Sequence, residues 1–386
     1  MFGGLLTGPA AAGEWSGYVA AELRAFPQQA LDPEQHDTNL SLAFEPEFYT
    51  AWDDGAQSFT FKPYLRLDSG DDRRSHTDLR ELMWLRAGDG WEFRAGVGRV
   101  FWGVTEALHL VDIINQTDLV ENLDGEDKLG QPMLKLSLEQ DWGFLDLFVL
   151  PGFRERTYPG EDGRLRTHPR VDTSRAEYES GTEDKHVDFA LRWSRSLGDW
   201  DLGLAHFHGT SRDPRLLPAL IEGEPRLIPF YDIIDQTSLD VQFTRGDWLW
   251  KLEALTRGGQ EERYAAATGG FEYTRVGIVQ SDADLGLLAE GMWDSRGSDA
   301  PTAFQKDLFV GLRLTLNDVQ STELLGGVIQ DLGSQARFLN LEASRRLGNA
   351  WKLSLEGRFF SNIPDNDPFT GIRRDGYLQI ELARYF

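Results

Sequence analysis

The sequence predicts an all-β protein: a transmembrane, antiparallel up-and-down β-barrel of about 18 strands, with 16 as the alternative count, and with its third extracellular loop folded inward. Three observations lead to this prediction. Segments that alternate apolar and polar side chains recur from residue 15 to residue 386, short turns alternate with long links, and the last segment ends at the chain terminus. Successive strand side chains point to opposite faces, so each segment has one apolar and one polar face.

The alternation is clearest in six of these segments. They are 57–68, 133–139, 187–194, 238–244, 248–257 and 351–358. A Lys or Arg that faced lipid at mid-membrane would cost ~2–4 kcal/mol, so we expect the polar rows to line a wet interior. The expected lining residues are Lys62, Arg66, Arg94, Lys135, Asp188, Arg192, Asp240, Lys251, Glu253, Glu290, Arg313, Glu342, Lys352 and Glu356. The alternative is a soluble β-fold, which would have to hide its edge strands and gives no reason for the alternating loop lengths.

The connections between segments alternate in length along the chain. The short turns carry Gly, Asn or Asp, which supply the positive φ values of tight hairpins. They are 53–56, 88–90, 140–141, 198–199, 246–247, 281–284, 317–318 and 348–349. The long links are 26–38, 68–77, 103–131, 152–185, 209–236, 258–269, 294–306, 331–336 and 361–376. Eight short turns and nine long links connect eighteen strands and place both chain ends on one side of the membrane.

Composition narrows the function classes. The formal net charge of −24 argues against nucleic acid as a partner, because phosphate binding needs a basic surface. Acidic loops are candidates for divalent cations at a lipopolysaccharide surface, with simple solubility as an equal alternative. The chain has no cysteine, which excludes disulfides, and no apolar run reaches the ~18–20 residues of a spanning helix. Twelve Trp, ten Tyr and twenty-three Phe suit the aromatic girdles of a barrel.

The two chain ends carry different signals. Residues 1–12 resemble the rear half of a secretory signal, with Ala10 and Ala12 in a cleavage-site pattern; a flexible tail is the alternative. We therefore expect a truncated signal peptide at 1–12 and a single barrel domain at 13–386.

The last strand resembles the C-terminal assembly signal of Gram-negative outer-membrane barrels, which typically end in Phe; Arg384 stands where that signal usually has an apolar residue. The resemblance implies the cell outer membrane as location, and outer-membrane lipid, lipopolysaccharide and the assembly machinery as partners. It rests on Tyr377, Leu378, Ile380, Leu382 and Phe386.

The link 103–131 differs from the others because it is rich in apolar residues. Such a segment should pack on a surface, and the inner face of the barrel is the nearest. Its polar residues recur every three positions, which on one or two helical turns would form a stripe. Two compatible interpretations follow: a constriction loop that presents carboxylates to a pore, or a folded segment whose carboxylates pair with arginines such as Arg94 and Arg99. The candidate constriction residues are Glu106, His109, Asp112, Asn115, Asp118 and Glu121.

Three runs carry a family resemblance: 79–85, 96–103 and 110–118. Together they are similar to a motif set of uncharacterised Gram-negative outer-membrane channel families related to the alginate-export porin group. Gln116 stands where those families commonly have Pro. The resemblance implies a channel architecture and names no substrate. The motif positions are Glu81, Arg99, Trp102, Gly103, Asp112, Asn115 and Asp118.

The sequence favours a channel for small or polymeric hydrophilic solutes and predicts no enzyme, no cofactor and no metal site. No Gly-x-Ser-x-Gly motif occurs, and no serine has an evident base. His206 and His208 share a strand face, where an interfacial role is favoured over metal binding. The alternative function is a structural or surface-binding barrel that uses loops 152–185 and 209–236.

Overall fold

A computed structural model describes residues 13–386, so the expected signal at 1–12 lies outside the described residues. In the described chain, eighteen of twenty-two strands form one sheet. Between residues 13 and 386, no helix has the length and apolarity needed to cross a membrane.

The strands of the large sheet are β1 (Glu14–Ala25), β2 (Thr38–Trp52), β3 (Gln57–Asp68), β4 (His76–Gly88), β5 (Trp91–Gly98), β6 (Gln131–Gln140), β7 (Gly143–Pro151), β10 (Val187–Leu197), β11 (Trp200–Thr210), β14 (Ile233–Arg245), β15 (Trp248–Gly259), β16 (Glu261–Arg275), β17 (Asp284–Asp294), β18 (Lys306–Thr315), β19 (Glu323–Asp331), β20 (Arg337–Leu347), β21 (Trp351–Ser361) and β22 (Tyr377–Tyr385). The other four strands are β8 (Arg170–Val171), β9 (Glu177–Tyr178), β12 (Arg215–Ile221) and β13 (Glu224–Tyr231).

The large sheet closes on itself. Each strand pairs antiparallel with its neighbours in chain order, and β22 pairs with β1 from Tyr18↔Tyr385 to Ala25↔Leu378. Closure leaves no edge strand, which satisfies every ladder without a partner chain. The predicted fold, a closed antiparallel barrel of eighteen strands, is confirmed.

The two faces of the barrel differ in polarity in the predicted sense. Large apolar side chains point outward, as at Val310 (53% exposed) and Leu378 (55% exposed). Charged side chains on the alternate positions are buried, as at Arg66, Asp188 and Glu253. Because the apolar rows run around the whole ring, the outer surface is a continuous apolar belt. A soluble monomer rarely exposes a surface of this kind.

Tryptophan gathers at one rim of the barrel. Eight exposed tryptophans lie at this rim, seven within a few residues of a short turn and Trp15 at the start of β1. Trp and Tyr prefer membrane–water interfaces, because their rings are apolar and their N–H and O–H groups are polar. The expected aromatic girdle is therefore present at the short-turn rim, formed by Trp15, Trp52, Trp91, Trp142, Trp200, Trp248, Trp250 and Trp351.

One predicted long link is wrong. The link expected at 258–269 is almost entirely strand, since β15 ends at Gly259 and β16 begins at Glu261. Positive φ at Gly259 (108°) and Glu261 (59°) makes the turn there very short. Its small residues serve close strand approach: a Cβ added at Gly270 would lie 1.8 Å from the carbonyl oxygen of Ala289.

Two long loops form a small sheet that the sequence did not predict. Strands β12 and β13 make a hairpin within loop 209–236, and β13 pairs in parallel with β8 and β9 from loop 152–185. The turn uses positive φ at Glu222 (53°) and Gly223 (89°). Tyr231, fully buried, packs its ring 4.8 Å from Phe153 and 5.4 Å from Tyr178. The two loops are thus one folded unit rather than separate flexible links.

Candidate functional site

The connection between β5 and β6, residues 99–130, contacts inner-face side chains on both sides of the ring; we refer to it as the β5–β6 segment. It bonds to β15, β17 and β18 in its first part and to β1, β3, β4 and β21 in its second part. In the ring of eighteen strands, β15 lies eight strands from β3, which is almost diametrically opposite. The segment therefore contacts strands on nearly opposite sides of the ring.

The first part is held by two carboxylates of the barrel. Glu253 on β15 is fully buried, and its Oε1 accepts hydrogen bonds from the backbone N–H groups of Val104 (2.6 Å) and Thr105 (3.0 Å). The Thr105 hydroxyl donates to the same oxygen (2.8 Å), and the Val111 N–H donates to Oε2 (3.1 Å). Glu290 on β17 accepts in the same way from the N–H groups at 106 and 107. Charge-assisted bonds of this kind are roughly twice as strong as neutral ones.

The first part of the segment is also held through one of its own side chains, that of Glu106. Glu106 accepts a hydrogen bond from Arg313 Nη2 on β18 (2.6 Å), and Lys251 Nζ on β15 lies 3.7 Å away. The predicted constriction residue Glu106 is thus paired with two cations of the barrel.

The second part is held by the opposite arrangement, with carboxylates on the segment and arginines on the barrel. Glu121 lies 2.8 Å from Arg66 Nη2 on β3, and Asp118 lies 2.9 Å from Arg80 Nη1 on β4. Arg24 on β1 donates to the carbonyl of Glu121 (3.2 Å), and Arg74 donates to a neighbouring carbonyl. Burial disfavours the charged form of Glu121, but the surrounding arginines hold its pKa below the ordinary range.

The motif residues close the base of the segment. Asn115 accepts from the Val100 N–H (2.8 Å) and donates to the carbonyls of residues 98 and 129. Asp112 accepts from the Trp102 N–H (3.2 Å) and pairs with Lys128 (3.0 Å). Gly103 has φ of 147°, and a Cβ there would approach Glu253 Oε1 to 3.1 Å. These residues are structural: they tie the start of the segment to its end.

The predicted helical stripe is wrong. In the described β5–β6 segment, turns and two isolated bridges replace any helix, one of them Thr117↔Lys128. Asn115, Asp118 and Glu121 are buried and paired, because contacts to the barrel fix the backbone. His109 stacks edge-on against Phe101 at 4.9 Å. A spacing of three residues therefore did not place these groups on one water-facing stripe.

The predicted lining residues occupy the inner face, and nearly all are paired. Arg192 pairs with Asp240 (2.6 Å), and Asp188 pairs with Arg212 (2.7 Å). The arginines that we expected to meet the segment behave differently: Arg94 pairs with Glu92, and Arg99 is exposed. Further pairs are Lys62–Glu47, Lys135–Asp146, Arg313–Glu272, Glu342–Arg358 and Glu356–Arg358.

Three further predictions concern Glu81, Lys352 and the last strand, whose side chains lie in different environments. Glu81 is half-buried on β4 and stands opposite Lys62 in the strand register. Lys352 is half-buried on the inner face of β21. Tyr377, fully buried, donates from its hydroxyl to Asn122 (3.2 Å) and Glu356, while the apolar residues of the last strand point outward. Arg384 lies over the Trp351 ring, 5.8 Å from its centroid, at the girdle.

Besides Glu106, which is paired with two cations, the carboxylates of the β5–β6 segment that are not fully buried are Asp124, Glu126 and Asp127. Enclosure in the barrel raises the pKa of Asp127 to about 7, with the charges of Asp124 and Glu121 adding to the shift. Enclosure also raises the pKa of Asp124 to about 6, although Arg358, at 2.9 Å, works against it. The sequence prediction omitted these three as site residues; the one signal was their position in the most acidic stretch of the segment.

No family model and no curated protein matches the chain. Among solved structures, a triple mutant of the Rhodopseudomonas blastica porin aligns with 97% of this chain and 100% of its own, at 11% identity and a TM-score of 0.46. A loop L8 deletion mutant of OmpT, an outer membrane protein of Vibrio cholerae, covers 98% and 100%, at 11% identity and a TM-score of 0.47. The fold assignment itself rests on the strand pairing of this chain.

Proposed function

We propose that this protein is an outer-membrane channel for hydrophilic solutes, narrowed by the β5–β6 segment. A closed ring of eighteen strands is too wide for wall side chains alone to fill. The observation that carries the proposal is the pair of anchors on nearly opposite strands, Glu253 on one side and Arg66 on the other. A segment fixed at both sides reduces the free cross-section of the bore.

The accessible groups of the segment favour small cations over anions. Most charges of the inner face are already paired, so they contribute little net field. Asp124, Glu126 and Asp127 add three accessible carboxylates at the narrowed level, against one close arginine, Arg358. Rings of carboxylates are a common basis of cation preference in pores. This deepens the sequence prediction, which left the sign of the preferred ion open.

The experiment is planar-bilayer recording of the purified, folded chain and of a variant in which residues 104–128 are replaced by a short Gly-Ser linker. We expect discrete conductance steps from both and steps several-fold larger from the shortened variant. The matched control removes 216–229 from the hairpin β12–β13, which bonds to the loops of the long-loop rim, and should change the step size much less. Folded protein without conductance in any of the three forms would contradict the proposal.

The outer face supports a location in the outer membrane. The apolar belt and the tryptophan rim fit a bilayer, and outward apolar residues of β22 such as Ile380 are suited to the assembly machinery. Acidic loops at the other rim are suited to lipopolysaccharide through divalent cations. The finer resemblance to families related to the alginate-export porin group stays a prediction.

The small sheet of the long loops favours a second candidate function, a barrel that binds a partner at its surface. Its hairpin exposes Leu220 (71% exposed) at the tip. The control variant lacking 216–229 tests this candidate as well: loss of cell-surface binding with unchanged conductance would assign the binding role to the loops alone.

A further inference from the structure

His76, Asp118 and Glu121 meet at the contact between β4 and the β5–β6 segment. His76 is the first residue of β4, and its ring packs 5.7 Å from the ring of Tyr64. Its Nε2 lies 3.3 Å from Glu121 Oε1 and 3.7 Å from Asp118 Oδ2. The three donor atoms lie within 4.8 Å of one another.

The hydrogen bonding of the ring determines what Nε2 can do. Nδ1 lies 3.1 Å from the carbonyl oxygen of Arg74, and a carbonyl only accepts, so Nδ1 carries the hydrogen. In the neutral ring, Nε2 then directs a lone pair at two carboxylates. Nε2 and the fully buried Asp118 Oδ2 have no hydrogen-bond partner among the described residues. Arg66 Nε already donates to Glu121 Oε1 (3.1 Å), so Nε2 and Asp118 Oδ2 are the two acceptors left without a donor, and they favour a positive charge between them.

We propose that His76, Asp118 and Glu121 form a binding site for a divalent transition metal of the zinc class. Zinc bonds to imidazole nitrogen and carboxylate oxygen at about 2.0–2.2 Å in tetrahedral geometry, which sets ligand atoms roughly 3.4 Å apart. The two distances from Nε2, 3.3 Å and 3.7 Å, bracket that value. One nitrogen and two carboxylate oxygens are also a donor set that zinc accepts.

The surroundings orient the ligands as metal sites require. The Arg74 carbonyl fixes the imidazole, and Thr157 Oγ1 donates to Asp118 Oδ1 (2.7 Å). Tyr64 donates to Glu121 Oε2 (3.0 Å). Arg80 Nη1 lies 2.9 Å from Asp118 Oδ2 without directing a hydrogen bond at it. Because this arginine and Arg66 also repel a cation, we expect micromolar rather than nanomolar affinity.

A cavity of 270 Å³ reaches the site at His76. Its lining also includes Val120 and Thr157 but neither Asp118 nor Glu121. A site with three protein ligands usually completes its tetrahedron with water, and the cavity has room for one. A bound metal would link β4 directly to the second part of the β5–β6 segment, in addition to the contacts of that part with Arg66 and Arg80.

The test measures Zn²⁺ binding by titration calorimetry on the full chain, folded in detergent and freed of metal with a chelator. We expect about one Zn²⁺ per chain for the unaltered protein and at least tenfold weaker binding for His76→Gln. The matched control is His186→Gln, a histidine next to a strand start that faces a single carboxylate, that of Asp188. This control should bind Zn²⁺ normally.

Cobalt gives a second readout that needs no variant. Co²⁺ in the unaltered protein should show the intense visible absorption bands of a tetrahedral nitrogen–oxygen site, and Zn²⁺ should displace them. Absence of Zn²⁺ binding by the folded, unaltered chain would overturn the proposal. Equal binding by His76→Gln would overturn it too. Neither measurement uses conductance, so the result is independent of the channel proposal.

Discussion

The two parts of the β5–β6 segment are held by opposite chemistry. In the first part the barrel supplies carboxylates, Glu253 and Glu290, and the segment supplies backbone N–H groups. In the second part the barrel supplies arginines, Arg66 and Arg80, and the segment supplies carboxylates. A backbone N–H is present in almost any residue, whereas a carboxylate is specific to Asp and Glu. The comparison teaches that the second part depends on carboxylate side chains of the segment, whereas the first part is held mainly by its backbone N–H groups, with the side chains of Thr105 and Glu106 adding to it.

The largest effect should come from removing the first anchor. In Glu253→Ala, buried donors at 104, 105 and 111 lose their acceptor. The loss destabilises the attachment of this part to β15 by about 3 kcal/mol, which raises the population of molecules with residues 104–111 detached about a hundredfold. Hydrogen exchange measured by mass spectrometry should accelerate over 104–111. Glu342→Ala is the control, since Glu342 is an inner-face carboxylate that pairs with Arg358 alone. Equal exchange rates over 104–111 in Glu253→Ala and Glu342→Ala would contradict the assignment of Glu253 as the anchor of the first part.

A smaller effect is expected from the second anchor. Glu121→Gln keeps the shape but weakens the bonds to Arg66 and Tyr64, at a cost of about 2 kcal/mol. Exchange should accelerate over 117–124, while Glu126→Gln, which alters an exposed carboxylate of the same segment, should change little. If Glu121→Gln accelerates exchange over 104–111 as strongly as over 117–124, the segment releases as one unit and the two anchors are not independent.

The smallest effect concerns pH. Below about pH 5, Asp124 and Asp127 are both largely protonated, because their enclosed positions raise the pKa values to about 6 and about 7. Raising the pH adds negative charge to the bore, so cation preference, measured from reversal potentials in a salt gradient, should rise from about pH 5 to about pH 8. Asp127→Asn should remove the upper part of this rise.

Glu126→Gln is the control for the pH series. The imidazole of His109, 3.9 Å away, lowers the pKa of Glu126, so that carboxylate is charged across the whole range. Replacing it should reduce cation preference by a similar amount at every pH and leave the pH dependence in place. A flat preference in the unaltered protein would show that these carboxylates do not face the ion path.

The barrel was predictable from the sequence because each hairpin is local. Alternation fixes the faces, and Gly, Asn or Asp fixes the short turns, so the strand order follows from chain order. The short turn at Gln260 was not predicted, because the alanines and glycines around 265–270 are poor strand formers. In the structure these small residues allow neighbouring strands to approach closely. The loop sheet also escaped, because its parallel pairings join residues from different loops.

The candidate site was predictable only in part. The apolar and acidic composition of 103–131 indicated a packed segment with paired carboxylates, but not which arginines pair with them. Glu253 is more than one hundred residues away from Thr105 in sequence, and the segment offers it mainly backbone N–H groups, with the Thr105 hydroxyl as the one side-chain donor. The contact of His76 with Asp118 and Glu121 likewise joins a strand start to a loop, at a spacing that no metal motif shares.

Chemical modification of a single introduced cysteine tests the central claim most directly, since the native chain has none. In Asp124→Cys, a charged thiol reagent added during planar-bilayer recording should lower the conductance in discrete steps, because the new side chain lies on the accessible face of the β5–β6 segment. Val310→Cys, on the apolar outer face, should be unaffected. A reacted Asp124→Cys channel with unchanged conductance would contradict the claim that this segment narrows the bore.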